Sequence, residues 1–222
     1  MRSRAEIIAK LVDPGIVAII RTDRPEQVIP VTEALLAGGI VAVEITLTVP
    51  NALEAIRQAV QRFGQQAVIG AGTVLDARAA EAVIQAGAEY VVTPITRVQI
   101  VSVAHAADRP VMLGAYTPTE AQTAYEAGAD FIKLFPADTL GPGYIKALRA
   151  PLPHLRIVPT GGVDLNTAAD FLRAGCAALG VGSALVSADL VKRSDWAELT
   201  RRSRAFVEIA RSVRAAQATQ AS

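Results

Sequence analysis

The chain has 222 residues, 51% of them apolar and 19% charged, so it can bury a sizeable core and sits near the upper size for one domain. Its 22 basic and 21 acidic residues leave a net charge of +1 with no basic block. That balance argues against a nucleic-acid or anionic-membrane surface and leaves a small molecule as the expected partner.

No run approaches the roughly 18 unbroken apolar residues of a membrane helix. The opening Met1-Arg-Ser-Arg lacks the apolar stretch and cleavage site of a secretory signal. A soluble, cytoplasmic protein is the expectation.

In chain order, a lead-in helix is expected over 5–12. Short apolar runs then recur at 16–20, 41–45, 68–71, 90–92, 111–114, 131–135, 156–158 and 177–181, with helical patterns between them. These runs start roughly every 20 to 27 residues, the length of a strand, a helix and two short loops. Strict alternation implies parallel strands. Eight such units predict a (β/α)8 TIM barrel occupying 1–222 as a single domain, with loops shorter than in the usual ~250-residue example. The runner-up is an open doubly wound sheet, against which no Gly-x-Gly-x-x-Gly follows the first strand.

Helices are expected from Pro25 to Gly38 and over 50–63, 76–86, 118–127 and 166–174, several opened by proline and closed by glycine. The tail beyond Arg211 is expected to fray. The one cysteine, Cys176, cannot form an internal disulfide and lies in an apolar run, where a buried structural thiol is expected.

Lys133 interrupts the apolar strand Phe131-Ile-Lys133-Leu-Phe135. Alternate strand residues share a face, so Phe131, Lys133 and Phe135 point together into the barrel. Burial disfavours an ammonium and frees a nucleophilic amine, as imine formation requires. The plain alternative is a strand-end lysine whose head reaches water. Position alone does not separate the two; a second ionisable residue does. Glu44 shares the inward face with Ala42 and Thr46, where a carboxylate can relay protons or, in the competing reading, pair with Lys133 or Arg21.

Arg21 ends the first strand and could clamp a carboxylate, or merely pair with Asp23 or Glu26. Thr73 and Pro94 stand at strand C-termini, where barrel sites are built, and could equally be turn residues. Gly161 and Gly162 after the seventh strand, and Gly182 and Ser183 after the eighth, match the loops that often form a barrel's phosphate site. His105 and His154 have no ligand-spaced partners and read as surface or packing residues, which disfavours a metal-dependent reaction.

These pieces resemble the 2-keto-3-deoxy-6-phosphogluconate and 4-hydroxy-2-oxoglutarate aldolases. The matching segments are Gly15-Ile-Val-Ala-Ile-Ile-Arg21, Val43-Glu44-Ile-Thr-Leu-Thr48-Val-Pro, Gly70-Ala-Gly-Thr73-Val, Val92-Thr-Pro94, Pro118-Thr-Glu-Ala, Ile132-Lys133-Leu-Phe-Pro136, Val158-Pro-Thr160-Gly-Gly162-Val and Gly180-Val-Gly-Ser183-Ala-Leu, in order over about 15–186.

The resemblance implies a class I (Schiff-base) aldolase of the Entner–Doudoroff type without metal or organic cofactor, in which Lys133 forms the imine and Glu44 moves protons. It places Arg21, Thr73 and Pro94 around the pyruvyl group, Phe135 and Thr160 in the pocket wall, and Gly161, Gly162, Gly182 and Ser183 on the phosphate. It also implies a homotrimer. Thr48 departs from members that carry a carboxylate-binding arginine there, which shifts that duty toward Arg21 and Thr73. Cleavage of 4-hydroxy-2-oxoglutarate or decarboxylation of oxaloacetate would use the same pyruvyl enamine. A sugar-phosphate-binding barrel without aldolase chemistry is the reading from a different class.

Overall fold

The computed structural model describes residues 2–221. Helix α1 (Arg4–Val12) opens on Ser3, whose hydroxyl accepts from the Glu6 N–H while the Glu6 carboxylate reaches back, a reciprocal cap. Eight strands follow: β1 (Ile16–Ile20), β2 (Ala42–Thr46), β3 (Val68–Gly72), β4 (Val91–Val92), β5 (Val111–Ala115), β6 (Phe131–Leu134), β7 (Ile157–Pro159) and β8 (Leu179–Val181). Between them lie α2 (Val28–Ala37), α3 (Ala52–Phe63), α4 (Ala77–Gln85), α5 (Gln99–Ala106), α6 (Pro118–Glu126), α7 (Gly141–Arg149) and α8 (Ala168–Arg173). A 3-10 turn, Pro25–Gln27, leads into α2, and α9 (Ala188–Arg193) and α10 (Trp196–Ala221) close the chain.

Strands β1 to β7 pair in parallel with their sequence neighbours, and β8 pairs in parallel with β1. The Ala177 N–H donates to the Ile157 carbonyl at 2.8 Å, and Thr160 bridges Gly180, so the β7 and β8 edges meet and the barrel closes. The expected TIM barrel with a lead-in helix is therefore present, and the open-sheet alternative is not.

The strands read as nearly continuous apolar runs because both faces are covered. Alternate residues divide between two layers. Val17, Ala42, Val68, Tyr90, Val92, Met112, Phe131, Val158 and Ala178 fill the interior, together with Ile7 and Leu11 of α1. Ile16, Ala18, Ile20, Val43 and Ile45 face the helices instead. Helix α1 thus plugs the N-terminal mouth of the barrel. Ion pairs from Arg4 Nε to Asp130 at 2.8 Å and from Arg2 to Glu89 at 2.8 Å hold it there.

The tail departs from expectation. Helix α10 continues past Arg211 to Ala221 because its last turns make tertiary contacts. Val213 is buried, Arg214 donates to the Val12 and Ala177 carbonyls, and Gln217 donates to that of Leu172. Ser222 lies outside the described residues. Among the described residues, no helix is long and apolar enough to cross a membrane.

Candidate active site

Glu44 and Lys133 are the charged residues that occur within the eight strands. Strand β2 turns Glu44 inward and β6 does the same for Lys133. Lys133 Nζ stands 3.7 Å from Glu44 Oε1, with side-chain exposures of 8% and 3%. That separation is an ion pair rather than a hydrogen bond, and Oε1 has no hydrogen-bond partner among the described residues. A buried, incompletely satisfied pair is poor structural cement but well suited to reaction.

The room for this pair comes from glycine. A Cβ at Gly72, on the inward face of β3, would lie 1.8 Å from Glu44 Oε1. At Gly114 of β5, the register partner of Lys133, a Cβ would lie 2.1 Å from the Pro94 backbone. Pro94 therefore packs beside the lysine strand. Thr73 follows Gly72 directly and holds a left-handed backbone, φ +59°, a costly conformation for a β-branched residue.

Phe135 lies just past β6, with Lys133 Nζ 5.3 Å from its ring centroid. The same ring lines a cavity of about 380 Å³ with Arg21, Thr160, Gly161, Gly162, Gly182 and Ser183. Seven of the eleven candidates thus meet in one hollow formed by the segments that follow β1, β6, β7 and β8. Lys133 reaches the Phe135 ring and Glu44 pairs with that lysine from β2, though neither lines this cavity, and Thr73 and Pro94 follow β3 and β4 on the same C-terminal side. Gly161 and Gly162 both take positive φ, at +94° and +67°, which turns their loop sharply.

Arg21 is exposed and makes no ion pair among the described residues; Glu26 is taken by Arg24 instead. Thr48 shares a 2.7 Å hydrogen bond with Thr46, so it does not supply the cation that an arginine would. A slightly larger hollow of about 440 Å³, lined by Arg2, Glu6 and Glu89 among others, contains none of the candidates.

The two histidines are engaged elsewhere. His105 Nε2 is 3.0 Å from Asp130, and His154 Nε2 is 3.0 Å from Gln122. Among the described residues no group of three or more His, Cys, Asp or Glu converges as a metal set. Cys176 is half-buried rather than fully enclosed, and burial pushes its thiol up to about 12. Sequence reasoning missed the supporting roles of Gly72 and Gly114. Alternating glycines on the inward face of β3 were the available signal that other side chains cross there.

The comparisons with known proteins agree with this geometry. The family model described as KDPG and KHG aldolase matches residues 7–202. The chain is 39% identical over 194 residues to the 2-dehydro-3-deoxy-phosphogluconate aldolase of Pseudomonas aeruginosa, covering 87% of this chain and 88% of that one. It is 38% identical over 174 residues to the 2-dehydro-3-deoxy-6-phosphogalactonate aldolase of Escherichia coli, covering 78% and 85%.

A crystal structure of KDPG aldolase from Legionella pneumophila, with pyruvate captured as a covalent carbinolamine, superposes with a TM-score of 0.84 at 27% identity, covering 90% of this chain and 97% of that one. On the match over residues 7–202 and these identities, the chain belongs to the KDPG and KHG aldolase family.

Proposed function

We propose that the protein is a class I aldolase that cleaves 2-dehydro-3-deoxy-6-phosphogluconate to pyruvate and glyceraldehyde 3-phosphate. The observation that carries this reading is the buried Lys133–Glu44 pair at 3.7 Å, linked by the Phe135 ring to a cavity edged by two glycine-rich loops.

Neutral Lys133 attacks the C2 ketone, and Glu44 shuttles protons as water leaves and the iminium forms. The iminium is an electron sink, so loss of the C4 hydroxyl proton lets the C3–C4 bond break, with its electron pair passing into the enamine. Protonation at C3 and hydrolysis then release pyruvate. The imine supplies the stabilisation that a metal or organic cofactor would otherwise give.

Arg21 anchors the substrate carboxylate, with Thr73 and Pro94 around the pyruvyl carbons and Phe135 and Thr160 as pocket wall. Gly161, Gly162, Gly182 and Ser183 take the phosphate through backbone N–H groups and a hydroxyl. On this reading the protein works in the cytoplasm, in the Entner–Doudoroff route. Leu75, Ile95 and Tyr116 are exposed apolar residues on the loops after β3, β4 and β5, a rim consistent with assembly into the family's homotrimer.

The test is a pyruvate-release assay on the phosphogluconate-derived substrate, its galactonate epimer, 4-hydroxy-2-oxoglutarate and oxaloacetate. The highest kcat/KM is expected on the first. Preference for the epimer would reassign the protein to the specificity of its 38%-identical relative. Turnover unaffected by the substrate phosphate would favour the smaller oxo-acids.

A further inference from the structure

Two side-chain oxygens buried in the barrel interior have no hydrogen-bond partner among the described residues: Glu44 Oε1 and the Tyr90 hydroxyl. Tyr90 is fully buried immediately before β4. Its ring crosses β3 over Gly70, with Cζ and both Cε atoms 2.3–2.4 Å from where a Cβ at that glycine would stand. Gly70 is the register partner of Glu44. The phenol therefore spans from β4 to the foot of the Glu44 side chain, whose carboxylate rises over Gly72.

Lys133 faces the same carboxylate from β6, and Arg21 stands at the end of β1. The inward positions of β3, β5, β7 and β8 carry no charge. Beside Tyr90 in the chain, Glu89 is held by Arg2.

We propose that Tyr90 is a positioning residue for Glu44, its hydroxyl holding the carboxylate through one enclosed water while Glu44 exchanges protons with the pyruvyl carbon. This rests on the aldolase reading. Packing alone does not account for the hydroxyl, because phenylalanine would fill the same space over Gly70. Burial, reinforced by the Glu44 and Glu89 carboxylates, raises the phenol well above its ordinary 10.0, so it keeps its proton and has it to donate.

The proton balance follows. When the enamine forms, the C3–H bond breaks, the proton passes to Glu44 and the electron pair enters the C2–C3 double bond as the iminium nitrogen is neutralised. On return Glu44 gives the proton back and becomes the carboxylate that Tyr90 holds.

The experiment compares wild type with Tyr90→Phe in pyruvate and D2O, following methyl exchange by NMR across pH and dividing by the sites trapped with borohydride. The variant is expected to keep its fold and trap pyruvate equally. The acidic limb of its exchange profile should move to higher pH by about one unit, because the ionised carboxylate has lost a donor. A profile that superposes on wild type would overturn the proposal. So would a variant that loses its fold, since the hydroxyl would then be structural. Absence of a trapped imine in both proteins would refute the aldolase reading, and the positioning role with it.

Discussion

Glu44 reaches Lys133 across Gly72: the carboxylate occupies the space in which a side chain at 72 would begin, 1.8 Å from that missing Cβ and 3.7 Å from the lysine amine. Gly72→Ala should therefore displace the carboxylate while leaving the lysine in place. Turnover is expected to fall roughly 10²–10⁴-fold, the scale of a lost proton-transfer group, at a stability cost of about 1–3 kcal/mol from overpacking. Steady-state kinetics and urea unfolding on one preparation check both.

Arg21 offers the opposite balance of stability and function. It is exposed, lines the cavity and makes no ion pair among the described residues. Arg21→Ala is expected to change stability by no more than about 0.5 kcal/mol. It should raise KM roughly 10–100-fold through loss of a charge-assisted contact to the substrate carboxylate. Thr48 is tied to Thr46 and does not compensate.

At the other end of the barrel, Asp130 accepts from Arg4 Nε at 2.8 Å and the Val111 N–H at 2.9 Å, and lies 3.0 Å from His105. Its side chain is only 3% exposed. Asp130→Ala should cost about 2–3 kcal/mol, the partial exposure of Arg4 softening the penalty. Pyruvate trapping at Lys133 should be unchanged, since this face of a barrel serves stability. Thermal unfolding and trapping stoichiometry separate the two effects.

Alkaline pH should weaken the fold through Cys176 and Tyr90. Burial raises the thiol from its ordinary 9.0 to about 12 and raises the Tyr90 phenol above 10.0. For both, the unfolded group ionises first. The stability they contribute is thus complete below pH 9 and, for Cys176, is lost as pH rises toward about 12. Urea midpoints at about pH 8 and about pH 10.5 should differ less in Cys176→Ala than in wild type.

The strand alternation was legible because both barrel faces are buried and each strand is a short apolar run. Lys133 and Glu44 stood out against those runs for the same reason. What hid was whatever depends on partners distant in sequence. Tyr90 read as one more apolar strand residue, and only closure of the barrel lays its ring over Gly70. The last turns of α10 carry small and polar residues that look frayed until Val213, Arg214 and Gln217 find the barrel's N-terminal side. Asp130 and His105 are 25 residues apart, too far for any local pattern to join them.

The central claim is that Lys133 is the imine-forming amine. Borohydride reduction in the presence of pyruvate, followed by peptide mass mapping, tests it most directly. A pyruvyl adduct on the Lys133 peptide, absent from a folded Lys133→Ala control, is the expected result. No adduct on folded wild-type protein, or an adduct that persists in the control, would contradict the account.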